Sequence, residues 1–313
     1  MKFVGSGKVK DVYDLENGEL QFKFSDRVSA YDVKFHDPIP LKGEVLCKFA
    51  EFWFNKLPAK NHYVRTVSKN EIIVKKMKMI PMECVVRGYF YGSLVSRWKS
   101  GEIKLPSGAI TEVAAKLPHP IFDPTTKAEH DEPVTKESAV TRGLVTKQEF
   151  EWLESKSIEI YNLMSKIADS AGFILADLKL EFGKINDEIL LGDSIGPDEY
   201  RLWPKDAYAV GKIQESYDKQ ILRDWLTANG YQKQFEDFRK EGKEPVAPLI
   251  PADIIRKMSQ RYVVSYEKLY WQGSLTRISN SPPSQIFFQN PVLGCFAPVW
   301  RWWFWDFQKF DSF

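Results

Sequence analysis

Residues 177–203 read DLKLEFGKINDEILLGDSIGPDEYRLW, and this stretch decides how the chain is built. Asp177, Lys179 and Glu181 alternate with Leu178, Leu180 and Phe182. Period two puts the charges on one face of a strand and the apolar side chains on the other. Gly183 and Asn186-Asp187 supply turn residues, and EILLGD returns as a second strand of a buried hairpin. A turn centred near Asp187 brings Glu181 and Asp193 almost opposite each other, with their carboxylates about 5 Å apart on one face. Two such carboxylates repel unless a cation sits between them. Mg²⁺ suits the position, because it is often held by one or two carboxylates together with substrate phosphates. Lys179 on the same face and Arg201 just beyond suit a polyanionic ligand. A half-exposed sheet carrying cross-strand ion pairs explains the same pattern.

Upstream, residues 2–86 are strand-rich. KVKDVYDL, ELQFKFS, HYVRTV and EIIVKKMKMI are short alternating or β-branched runs. One helix interrupts them at about 45–55, where Leu46, Phe49, Ala50 and Trp53 share a face. Residues 101–143, rich in Pro, Gly, Thr and charge, read as long functional loops. A strong helix follows. Thr146 and Glu149 form a capping box, Phe150, Leu153, Ile160, Met164 and Ile167 build its apolar face, and Gly172 suits its end. After the hairpin, helices are expected near 217–229 and 253–269, the second preceded by Pro251. From about Ser274 the chain turns aromatic and loses period. Pro291, Pro298, Arg301 and Asp306 interrupt that tail well short of the ~20 apolar residues of a membrane span.

The 313 residues suffice for one large domain or two modest ones, and a charged fraction of 27% with a net charge of +2 gives no sign of a nucleic-acid partner. The three cysteines are far apart and the four histidines show no H-E-x-x-H spacing, so neither a disulfide framework nor a zinc site is suggested. The N-terminal MKFVGSGKVKD has no apolar core, so no secretory signal is visible and a cytoplasmic enzyme without a membrane partner is the expectation.

Four other motifs and one basic pair carry chemistry. GSGKVKDVY (5–13) is not a Walker A loop. It suits a glycine-rich turn between two strands, in which Gly5 and Gly7 admit a phosphate and Lys8 and Lys10 neutralise it; a plain turn with solvated lysines explains it too. SDRVSAYD (25–32) is dense in short polar side chains that bind a ligand or stabilise turns. VVRGYFYGSL (85–94) puts Arg87 at a strand end and Ser93 at a helix start, a phosphate grip or an ordinary N-cap. PIFDPTTKAEHDE (120–132) is an acidic loop with one histidine, short of ligands for a metal site. Lys219 and Arg223, four apart, share a helical face that is either solvated or turned to a phosphate.

Taken together and in order, GSGKVKDVYDL, SDRVSAYDV, IPLKGEVLCKFAEFWF, ECVVRGYFYGSL, PIFDPTTKAEHDE, DLKLEFG, LLGD and RLW resemble the SAICAR synthetase family over roughly residues 1–271. The resemblance implies an ATP-dependent ligase that joins L-aspartate to the carboxylate of carboxyaminoimidazole ribonucleotide (CAIR), through an acyl phosphate. It implies an α+β architecture of two lobes: residues 1–84 as a β-rich, mainly antiparallel lobe over ATP, 85–272 as a mixed lobe for substrate and metal, and 273–313 as an atypical aromatic tail. Lys8 and Lys10 are then expected at the ATP phosphates, and residues 78–82, with Lys78 and Met79, beside adenine. Glu181 and Asp193 are expected to hold Mg²⁺, with Glu181 also facing the nucleotide. Lys179 would bind phosphate or the reacting carboxylate. Arg87, Ser93 and Arg201 would receive the ribonucleotide, with Asp131 in the substrate loop and Lys219 and Arg223 on a phosphate-facing helix. A small-molecule kinase sharing the nucleotide cleft is the competing reading, but neither H-R-D nor D-F-G occurs in the chain. Nothing in the sequence sets an oligomeric state.

Overall fold

The computed structural model describes residues 1–127 and 132–278. Three antiparallel strands open the chain, β1 (Lys2–Ser6), β2 (Lys10–Asp14) and β3 (Glu19–Phe24). A ribbon of β4 (Ser29–Ala30) and β5 (Val33–Lys34), helix α1 (Lys42–Lys56), and strands β6 (Tyr63–Ser68) and β7 (Glu71–Lys75) follow. Ribbon apart, these strands form one antiparallel sheet in the order β1-β2-β3-β7-β6. Helix α1 lies on β3, β6 and β7. Its expected face of Leu46, Phe49, Ala50 and Trp53 is buried in one core with Phe22, Phe24, Ile72 and Val74, the inward alternation of β3 and β7.

The chain then passes through β8 (Lys78–Met79), β9 (Met82–Tyr89), α2 (Ser93–Lys99), β10 (Lys116–Phe122), β11 (Thr125–Thr126) and α3 (Lys136–Thr141). Residues 101–143 are therefore not loops throughout. The run KLPHPIF pairs with β9 as an edge strand, where its two prolines need no ladder donors. Helix α4 (Lys147–Ser170) begins at the Thr146–Glu149 capping box, and Gly172 follows it at φ 81°. Its buried face packs on β9, β10 and β12 (Phe173–Leu180). Contact is closest at Gly88, where an added Cβ would stand 1.8 Å from the Tyr161 hydroxyl oxygen.

Strands β13 (Phe182–Ile185), β14 (Glu188–Leu191) and β15 (Tyr200–Pro204) complete the sheets, which run β10-β9-β12-β15, with β11 also on β9, and β14-β13-β8. The expected single charged strand thus breaks at Glu181, which joins two different sheets. Asn186 and Asp187, both left-handed, make the tight turn. Gly183, read as a turn residue, lies inside β13, where an added Cβ would be 2.9 Å from Met77 Cβ; its lack of a side chain admits the neighbouring strand.

Three helices follow, α5 (Gln220–Ala228), α6 (Tyr231–Lys240) and α7 (Ala252–Ile278). Helix α5 starts three residues later than its pattern suggests, because Asp218 Oδ1 accepts from the Gln220 amide at 2.8 Å and sets the first turn. Helix α6 was not among the expected helices, although Tyr231, Phe235 and Phe238 recur at i, i+4 and i+7 along one helical face. Helix α7 outruns its expected end at 269, with no proline between Pro251 and Pro282 to stop it. The aromatic tail lies outside the described residues beyond 278. Among the described residues no helix is long and apolar enough to cross a membrane, and Cys47 and Cys84 are buried free thiols.

Candidate active site

With Leu178 and Leu180 committed to the core shared with α4, Asp177 and Lys179 on the opposite face of β12 line a cavity of about 180 Å³. Register places Asp177 opposite both Arg201 on β15 and Arg87 on β9. Arg201 Nη1 donates to Asp177 Oδ2, and Arg87 Nη1 lies 3.9 Å from that oxygen. The cross-strand ion pairs of a charged ladder therefore exist, but with Asp177 and Arg87 buried and Arg201 half-buried they form a cavity wall.

Arg87 is held on two other sides. Its Nε donates to Asp123 Oδ2 at 2.6 Å and its Nη2 to Ser93 Oγ at 3.1 Å. Asp123 also accepts from Arg97 Nη1 at 2.7 and 2.8 Å, so one buried carboxylate fixes two guanidiniums. Ser93 is the first residue of α2 rather than its cap. Gly92 precedes it at φ 61°, with the Arg201 guanidinium 3.4–3.6 Å from where a Cβ would stand. Lys219, just before α5, and Arg223, one turn on, line the same cavity. Among the described residues neither side chain makes a hydrogen bond or ion pair. Burial, foremost, holds the Lys219 pKa below the usual lysine range.

A second cluster adjoins. Lys179 Nζ donates to Glu83 Oε1 at 2.7 Å and to Glu181 Oε1 at 3.4 Å. Burial opposes its charge, but Glu181 and Glu83 outweigh burial and hold Lys179 above the usual lysine range. Lys127 donates to Glu181 Oε2. Lys10, 7% exposed, reaches in from β2 to Asp193 Oδ1 at 2.5 Å and Ser194 Oγ at 3.0 Å. Strand register sets Glu181 opposite Gly192, one position short of Asp193, yet the two carboxylates still act on each other. Burial and then the Asp193 charge raise Glu181. For Asp193, burial is overcome by Lys10, which holds it below the usual range.

The glycine-rich turn does join β1 to β2. The Gly7 amide donates to Lys10 O at 2.8 Å, whereas Gly5 has open space where a side chain would stand. Lys8 points to solvent and pairs with Asp32 at 2.8 Å. Lys78 and Met79, in β8, line a separate cavity of about 610 Å³ with Gly143, Leu144 and Thr146. Asp131 lies outside the described residues.

Sequence reasoning missed Asp123, Lys127, Glu83, Asp198, Glu199 and the buried pair Lys42–Asp198, joined at 2.8 Å with the Tyr262 hydroxyl donating to Asp198 at 2.6 Å. Asp123 and Lys127 stand in the acidic loop motif, and Lys42 in PLKGE, but no local spacing announces their partners.

Residues 3–238 match the family model described as SAICAR synthetase. The chain belongs to the SAICAR synthetase family. A phosphoribosylaminoimidazole-succinocarboxamide synthase of Nitrosopumilus maritimus is 67% identical over 269 residues, covering 86% of this chain and 98% of that one. Among solved structures of the SAICAR synthetase family, a SAICAR synthase from Saccharomyces cerevisiae complexed with SAICAR superposes with a TM-score of 0.74 at 33% identity, covering 90% of this chain and 96% of that one. A SAICAR synthetase in complex with ADP superposes at 0.61 with 27% identity, covering 78% of this chain and all of that one.

Proposed function

We propose that the cavity and the lysine–carboxylate cluster beside it join L-aspartate to the carboxylate of CAIR, with ATP converted to ADP and phosphate. One observation carries the residue assignments: Lys179 lines the cavity and also bonds to Glu181, so a single ammonium links the anion-binding wall to the carboxylate pair. Arg87, Ser93 and Arg201, with Lys219 and Arg223, offer guanidinium forks, a hydroxyl and an ammonium to the phosphate and carboxylate of the ribonucleotide. Lys10, beneath the glycine-rich turn, and Lys8 at its edge meet the ATP phosphates, and Lys78 and Met79 flank adenine. Asp131 belongs to the substrate loop.

The donor chemistry of Glu181 and Asp193 fits Mg²⁺. They are two hard carboxylates, the charge of Asp193 opposing ionisation of Glu181, with lysines nearby that phosphate oxygens can attract away. Among the described residues no cluster of three or more acidic, His or Cys side chains forms a full protein cage, in keeping with an ion that completes its shell on phosphate. Bound there, the ion would screen charge on the transferring phosphoryl group. The first sheet and the turn of residues 5–9 cover the nucleotide, and residues 85–272 carry the ribonucleotide and metal groups. That division at residue 84 runs through β9. A cytoplasmic location suits a reaction fed by ATP and L-aspartate.

The test supplies ATP, Mg²⁺, CAIR and L-aspartate to the purified protein. ADP release should require aspartate; release that ignores it would favour a kinase or ATPase. Lys179→Ala should lower turnover by about 100-fold or more if its ammonium meets developing charge, and a near-normal rate would remove its role.

A further inference from the structure

The carboxylates around the cavity are not equivalent. Asp177 receives Arg201, and Asp198 is tied through one oxygen to Lys42 and through the other to Tyr262. Asp218 sets the first turn of α5. Glu83 and Glu181 hold Lys179. Glu199 also lines the cavity, yet among the described residues its carboxylate makes no hydrogen bond or ion pair. Its backbone is fixed: Glu199 O accepts from the Lys179 amide at 2.7 Å, and Glu199 N donates to Gly196 O at 2.9 Å. The glycine also leaves room for the side chain, since Glu199 Oε2 lies 3.5 Å from where a Cβ on Gly196 would stand. A positioned acceptor without such a partner thus stands beside Lys179, the residue expected to bind phosphate or the reacting carboxylate.

The reaction lacks such an acceptor so far. An α-amino group enters largely as ammonium and has no lone pair until it loses a proton. We propose that Glu199 receives the amino group of the incoming L-aspartate and takes its proton. The ammonium gives one proton to the Glu199 carboxylate. The freed lone pair forms the C–N bond at the carboxyl carbon activated by ATP, and the C–O bond to the phosphoryl group breaks, phosphate leaving with the electron pair. The second nitrogen proton goes to the departing phosphate, and Glu199 returns its own to water.

The surroundings suit a base that works near neutrality. Burial first, then the charge of Asp198, raises Glu199 to about 8; Asp193 adds to this while Lys179 and Lys10 oppose it. Lys219 faces it from the start of α5, and the Tyr262 and Tyr200 hydroxyls from α7 and β15.

The inference rests on the proposed function, in which the Lys179 ammonium meets the developing charge, and Glu199→Gln, which keeps the shape and removes the charge, tests it. At pH 7 the variant should lose about 100-fold in kcat/KM for L-aspartate. Its KM for ATP and for CAIR should stay within about twofold, since only the amine step is affected. The deficit should shrink as pH rises and free amine forms in solution. Turnover within about threefold of the parent from pH 6.5 to 9, or a pH-independent loss shared by all three substrates, overturns the proposal. Should Glu199→Gln not fold, Glu199→Asp carries the same test, and an unmoved pH limb overturns it. Lys179→Ala run in parallel separates the two readings. If it stays active, the underlying assignment falls; if it is dead while Glu199→Gln is active, only this inference falls.

Discussion

Asp123 holds Arg87 and Arg97 at once, and its own side chain is 4% exposed. Removing one partner of a buried pair strands the other, which costs about 3–5 kcal/mol. Asp123→Asn should therefore lower the unfolding free energy by a few kcal/mol, part of it recovered through the amide oxygen. It should also raise KM for the ribonucleotide about tenfold, because the Arg87 fork loses its aim. Urea denaturation and steady-state kinetics check both, and an unchanged KM would detach Asp123 from the site. The cations of the cavity were legible because Lys179, Arg87, Arg201, Lys219 and Arg223 stand in patterned strands or a helix. Their counter-ions were not. Asp123 is 36 residues from Arg87, Asp198 is 156 from Lys42, and Asp193 is 183 from Lys10. No local periodicity records a pairing that only the tertiary fold creates.

Among the elements, α1, α4 and β3 were readable from caps or period, since each buries one regular face, whereas β6 buries none of its residues and β7 three in a row, so β-branched content rather than alternation marked them. The alternation of 177–182 gave the right faces for β12 but not the switch between sheets at Glu181, because side-chain period is blind to which neighbour a strand pairs with. Residues 101–143 misled for a related reason: an edge strand tolerates the prolines that a central one excludes. The helix-to-sheet approach at Gly88 is equally silent in sequence and makes a sharp prediction. Gly88→Ala puts a carbon 1.8 Å from the Tyr161 oxygen and 2.7 Å from its ring carbon. Tyr161 is anchored by donating to Leu175 O at 2.7 Å, so it cannot swing aside freely. The variant should lose roughly 1–3 kcal/mol or more of stability. An unfolding midpoint equal to the parent's would show that α4 can retreat from the sheet.

For the whole molecule, His62 joins the first sheet to the carboxylate cluster. It is 2% exposed, and its Nε2–H donates to Asp193 O at 2.9 Å, which fixes the neutral tautomer. Burial lowers its pKa to about 4 from 6.5. The folded state therefore binds this proton later than the unfolded chain does. The contribution of His62 is complete above pH 6.5 and is lost as pH falls towards 4, at up to about 1.4 kcal/mol per pH unit. His62→Gln, which keeps a donor for Asp193 O, should flatten that acid slope by about one proton. Denaturation series at pH 7 and 4.5 decide the matter, and parallel slopes in parent and variant would count against it. A chain ended at Gly273 should keep its activity and solubility, since every group assigned above precedes it; loss of either would give the aromatic tail a role.

The pair Lys42–Asp198 sets an order on events in the cell. Lys42 is fully enclosed, with its ammonium paired to Asp198 and beneath the ring of Tyr262, 5.7 Å away. A lysine cannot be sealed from water without its counter-ion. During synthesis that counter-ion is made 156 residues later, and the tyrosine later still. An emerging chain must therefore keep the start of α1 open to solvent until most of its length has left the ribosome. A fragment carrying only the first sheet and α1 lacks Asp198 and Tyr262, so it should leave the Lys42 end of α1 unpacked.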